Sequence, residues 1–131
     1  MRLNAGLALL IAMGGIAAAA DQGPIYELRT YTVHPGRLPA LEARFRDHTM
    51  RIFEKHGMAN VGYWIPIDQP DTLIYIISHP SREAARAGWK AFGADPEWHE
   101  VARNSRKDGP ILVQGGVESV FMRAAGYSPI P

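Results

Sequence analysis

TLIYIIS, residues 72–78, is the stretch on which the fold turns, because Leu73, Ile74, Tyr75, Ile76 and Ile77 are apolar at successive positions. The turn Asp68-Gln69-Pro70-Asp71 bounds it upstream, so it reads as a strand, and a strand without polar alternation must be buried on both faces. Residues 60–67 before that turn hold Val61, Tyr63, Trp64, Ile65 and Ile67, a strand composition interrupted by Pro66. Proline donates nothing to a neighbouring strand, which places this segment at a sheet edge. Further upstream, Leu38, Leu41, Phe45, His48, Thr49, Ile52 and His56 recur at three- and four-residue steps and predict one amphipathic helix, with Pro39 in its first turn and Gly57 as its C-terminal cap. Residues 25–33 alternate between Tyr26, Leu28, Thr30 and Thr32 on one face and Ile25, Glu27, Arg29, Tyr31 and Val33 on the other, and predict the first strand.

Downstream of the central run, Ser81 caps a helix that puts Ala85, Trp89 and Phe92 on one side. Asp95 and Pro96 start a third helix with Trp98, Val101 and Ala102 inward. A polar connection over 104–110 leads to a last strand at 117–123 and a proline-containing tail. The resulting order, β-α-β-β-α-β with an added helix, predicts an α+β, ferredoxin-like fold with an antiparallel sheet, strands one and three at its centre and strand two outside strand three. Helices in that arrangement cover one face only. The apolar run at 73–77 therefore calls for cover on the other, and the simplest cover is a second copy, sheet against sheet. The alternative is the C-terminal tail folding back across the sheet.

The N-terminus carries a basic start, Met1-Arg2, an apolar run over 7–16, and Ala18-Ala19-Ala20 before Asp21. That pattern predicts a cleaved secretory signal, residues 1–20, and a secreted or periplasmic protein of residues 21–131 forming one domain. The run over 7–20 is short of the roughly 18–20 apolar residues a membrane span requires, so no span is expected after cleavage. Without Arg2 the chain has 13 basic and 13 acidic residues, a balance that offers nucleic acid no electrostatic field. The absence of cysteine excludes disulfides, thiol catalysis and thiolate metal sites.

Taken together, IYELRTY at 25–31, FRDH at 45–48, FEKHG at 53–57, VGYW at 61–64, Trp89 with Phe92, ADPEW at 94–98 and the closing Ser128-Pro129 resemble the NIPSNAP family over effectively the whole chain after residue 20. The resemblance implies a dimeric α/β-barrel, in which two ferredoxin-like subunits face each other through their sheets. It also implies two kinds of role, protein contacts of the sort animal members make and, by analogy of fold alone, cofactor-free chemistry in the wider superfamily.

Glu27, Arg29 and Tyr31 share a strand face and, if Tyr26 and Leu28 pack under the helices, look into the space between subunits, where they can orient a polar ligand or form a structural ion pair. His48, between Phe45 and Ile52 in the apolar stripe, is expected to be partly buried, either as a core histidine or as a proton carrier. His56 is expected to meet free carbonyls at its helix end, and His34, His79 and His99 to lie in turns and on the surface. Trp64, Tyr75, Trp89 and Trp98 can line a pocket for a small apolar or aromatic ligand, with Trp89 and Trp98 expected in the core. No pair of histidines stands at a metal-clamping helical spacing and no glycine-rich phosphate cradle opens a helix, so neither metal nor cofactor is expected. Two functions remain open: an exported dimer binding a small molecule or protein partner, and a cofactor-independent enzyme, monooxygenase- or isomerase-like, acting on a small aromatic substrate within the barrel.

Overall fold

A computed structural model describes residues 22–130; the expected signal segment and its cleavage point lie outside the described residues. Four strands, β1 (Gln22–Val33), β2 (Ala59–Trp64), β3 (Thr72–Ser81) and β4 (Leu112–Met122), form one antiparallel sheet in the order β2-β3-β1-β4. The two central strands are thus the expected pair, joined in register from Thr32↔Thr72 to Ile25↔His79. The helical layer consists of α1 (Leu38–Arg44), a π-helical turn over Phe45–Thr49, α2 (Met50–Lys55), α3 (Arg82–Ala94) and α4 (Pro96–Ser105). This is the ferredoxin-like β-α-β-β-α-β order with its extra helix.

Local chemistry sets most of the boundaries. Ser81 Oγ accepts a hydrogen bond from the Ala84 N–H at 3.0 Å and starts α3, and Asp95 accepts one from the Glu97 N–H at 2.9 Å and starts α4 behind Pro96. Gly57, at φ +78°, ends α2 in the left-handed conformation that only glycine adopts without strain.

Several strand boundaries differ from expectation, β1 starting at Gln22 rather than Ile25. The edge strand β2 stops at Trp64, so Pro66 lies beyond the ladder, and β2 holds the edge through the topology of the crossovers. β3 continues through His79 and Pro80 to Ser81. β4 begins at Leu112, ahead of the expected residue 117, through a bulge that includes Gly115 and Gly116: Tyr31 pairs with Val117 but Val33 with Leu112. A side chain at Gly116 would meet the Thr32 carbonyl oxygen at 2.6 Å, so the closeness of two strands demands glycine there.

The helices pack on one face of the sheet. Leu41, Phe45, Ile52 and Phe53 meet Leu73, Tyr75 and Ile77 in a single core closed by Met58, Phe92 and Ile111. Aromatic rings dominate it, with Phe45 and Phe53 edge-on or tilted against one another and against Tyr31, Trp89 and Phe92 at 5.1–6.0 Å between centroids. The opposite face carries Leu28, Ile74, Ile76, Trp64 and Val120, and Trp64 and Val120 remain about half exposed, at 52% and 56%.

Candidate functional site

Strand β1 puts Glu27, Arg29 and Tyr31 on the helix-facing side, where β3 adds Tyr75 and His79, β4 adds Ser119 and α3 lowers Trp89 onto the group. Glu27 is 1% exposed and accepts four hydrogen bonds. Oε1 takes the Trp89 indole N–H at 2.7 Å and His79 Nε2 at 2.9 Å, while Oε2 takes Arg29 Nη1 at 2.7 Å and Ser119 Oγ at 2.8 Å. Burial by itself would raise this carboxyl, but the bonds from His79, Trp89, Arg29 and Ser119 outweigh it and hold the group at about 2.

A consequence for stability follows from the sign of that shift. The ionised carboxylate is worth most above its unfolded value of 4.5, and its contribution, on the order of 3 kcal/mol, is lost as pH falls from there toward 2. Thermal melts between pH 6 and pH 2 should show a steep decline below pH 4.5, and Glu27→Gln should flatten it; an unchanged slope in that variant would assign the acid lability elsewhere.

Arg29 lies over Trp89, its guanidinium carbon 4.3 Å from the ring centroid, and reaches the Tyr31 hydroxyl from Nη2 at 3.4 Å. Tyr75 donates to that same Tyr31 oxygen at 3.1 Å, and its own burial pushes its phenol well above the ordinary value of 10. Two atoms in the cluster have no partner: Arg29 Nε and His79 Nδ1 are buried without a hydrogen bond. Val117 and Phe121, which flank Ser119 on this face of β4, are 42% and 36% exposed and form a ledge beside Arg29, with the Arg82 guanidinium at the start of α3 standing 4.9 Å from the Phe121 ring centroid.

The structure therefore gathers Glu27, Arg29, Tyr31 and Tyr75 as one site but reverses their expected direction. They face the helices of their own chain, and Tyr26, Leu28, Thr30 and Thr32 face outward. Alternation defines two faces; which one the helices cover depends on the crossovers. His48 is a second correction, since it is exposed and lines a cleft between the α1–π turn segment and α4 rather than the core. The π turn is the cause: Met50 N–H bonds to the Phe45 carbonyl five residues back, so the buried position after Phe45 becomes Thr49 and His48 rotates outward.

His79 was expected on the surface and is instead the buried histidine, with a fully covered side chain. Its signal was present in the sequence, in phase with Leu73, Tyr75 and Ile77 once the strand is allowed to run on. His56 meets Asp95 Oδ2 at 2.7 Å rather than helix carbonyls, and Lys55 joins it at 2.8 Å. Lys55 and His56 hold the Asp95 carboxyl far below its ordinary value. Trp64 lies apart from the cluster, on the outer sheet face, with its ring over Gly62. Trp89 and Trp98 are partly buried against the core as expected, but the Trp89 N–H belongs to the site. On the outer face, tail residues including Ala124, Tyr127 and Ile130 border an open apolar pocket of about 400 Å³ with Tyr26, Val61, Ile76 and Met122. Among the described residues, no group of three or more histidine or carboxylate side chains is placed to hold a metal ion, and no helix is long and apolar enough to cross a membrane.

Solved structures share this arrangement. A NIPSNAP family protein of unknown function from Agrobacterium tumefaciens strain C58 is 26% identical, with 84% of this chain and 96% of that one covered and a TM-score of 0.70. An uncharacterised NIPSNAP-like domain protein from Burkholderia xenovorans is 21% identical over 80% of this chain and 88% of that one, TM-score 0.69. SnoaB, a cofactor-independent oxygenase from Streptomyces nogalater, shares the fold at 18% identity, 80% and 96% coverage and a TM-score of 0.58. Among curated proteins, none matches the chain. The NIPSNAP family profile matches residues 26–129, nearly the whole described domain, and with the strand that carries Glu27, Arg29 and Tyr31 inside that match the chain belongs to the NIPSNAP family.

Proposed function

We propose that the protein is an exported homodimer that binds a small apolar or aromatic molecule bearing a polar or anionic group, on the ledge between β4 and Trp89. The observation that carries this reading is the state of Arg29. Its guanidinium is clamped by Glu27 and Trp89 with Nε buried and unpaired, and the side chain as a whole is 16% exposed beside the apolar ledge of Val117 and Phe121. A fixed fork next to apolar surface is the usual composition of a small-molecule site, with area for affinity and one charged group for orientation. The signal pattern at residues 1–20 supports export, and the half-exposed apolar residues Trp64 and Val120 on the other face support a second copy there.

Native mass spectrometry of the protein purified from its own host tests all three parts in one measurement. The expected species is two chains beginning at Asp21 with a small molecule that leaves on denaturation. A single unliganded chain would overturn the proposal.

A second reading, a cofactor-independent enzyme, draws on His79. Glu27 fixes Nε2 and leaves Nδ1 without a partner, the arrangement of an oriented base. Its side chain is fully covered and Phe121 lies 6.1 Å from the ring, so a substrate would have to displace Phe121 to reach it. His79→Gln separates the two readings: it keeps ligand binding in the first and abolishes turnover in the second.

A further inference from the structure

Arg44 occupies the last position of α1, where the helical run changes pitch, and it is 7% exposed. Nη1 donates to Ser105 Oγ at 3.3 Å, the guanidinium carbon stands 5.2 Å from the Trp98 ring, and Nε is buried without an acceptor. Arg29, a partly buried guanidinium, has Glu27; Arg44 forms no ion pair among the described residues. Burial lowers its pKa, and the charge of Arg106 nearby lowers it further. A buried cation without a counter-charge costs several kcal/mol, and proteins retain one where something supplies the missing anion.

The side chain lines a cleft of about 540 Å³ between the α1–π turn segment and α4. Bonds from Arg44 to Ser105 and from Arg51 to Glu97 set the two helical runs antiparallel, so the cleft has distinct ends. One holds Arg44 with Asn104 and Ser105, the other Glu97 and Glu100, and the α1–π turn side adds His48 and Asp47, the latter already paired with Arg46. Glu97 is already held by Arg51 and Lys55, whereas Glu100 makes no hydrogen bond or ion pair among the described residues. Five residues of helix separate Glu100 from Ser105, roughly 7–8 Å of rise. A cation without a counter-charge beside Ser105 and a carboxylate without a partner at Glu100, set apart along one cleft, are complementary to a molecule carrying both charges at its two ends.

We propose that the cleft between α1 and α4 binds a small linear zwitterion, its carboxylate taken by Arg44 and its ammonium by Glu100, with Ala40, Ala43 and Val101 against its apolar middle. This site is separate from the ledge beside Arg29. The probes are 6-aminohexanoate, hexanoate and hexylamine, each titrated into the full chain by calorimetry with parallel thermal melts. The zwitterion is expected to bind and to raise the melting temperature, with hexanoate about tenfold weaker and hexylamine silent. Glu100→Gln, an exposed position, should bring the zwitterion and hexanoate to equal affinity without changing the melt of the unliganded chain. Arg44→Met should abolish both, while the unliganded variant melts no lower than wild type because an uncompensated charge has been removed. Absence of binding by 6-aminohexanoate at millimolar concentration, equal binding of hexanoate by wild type, or unchanged preference in Glu100→Gln would each overturn the assignment.

Discussion

Replacing Glu27 with alanine should lower the stability of the domain by about 3–5 kcal/mol, a loss of roughly 15–20 °C in melting temperature. The size follows from what the truncation strands. Arg29, His79, Trp89 and Ser119 all donate to this one carboxylate, and it is 1% exposed, so water cannot replace it. An uncompensated guanidinium then sits beside buried phenols, the most expensive residue of a broken ion pair. The same reasoning predicts that the triple variant Glu27→Met, Arg29→Met, His79→Leu is less damaged than Glu27→Ala alone, because removing a charged group entire costs less than removing half of it. Chemical denaturation of both variants checks this, and a triple variant weaker than the single would show that the cluster stabilises the fold in its own right.

Placing aspartate at Val120 should break the proposed homodimer without harming the fold. Val120 lies on the outer sheet face in register with Leu28, and at 56% exposure in the single chain it contributes little to the monomer core. In a sheet-to-sheet dimer the same position is desolvated, and a carboxylate there has no partner, so the association should weaken by about 2–4 kcal/mol, roughly 30- to 1000-fold in dissociation constant. Sedimentation at micromolar concentration should show two chains for wild type and one for Val120→Asp, with thermal melts of the dilute proteins unchanged. Wild-type protein that sediments as one chain would leave the tail, with Tyr127 and Ile130, as the only cover for that face.

The order of elements, both helix caps and the central strand pair could be read from residues 25–130 because each depends on local chemistry: alternation, a capping side chain, proline at a first turn. The NIPSNAP resemblance was legible for the same reason, as short motifs in familiar order. Which face of β1 meets the helices was not, since alternation is symmetric between faces. The π turn was not either, for one residue of slippage in a helix leaves no mark in a sequence whose apolar steps are three and four, and that slip moved His48 from core to surface. Glu27 draws its partners from 52, 62 and 92 residues away, and pairing over such separations is a property of the assembled sheet and helix layers. Sequence determined that the strand carrying Glu27, Arg29 and Tyr31 would be central; only the tertiary structure decided that those side chains would turn inward, take His79, Trp89 and Ser119 as partners, and leave the buried Arg44 without a counter-charge.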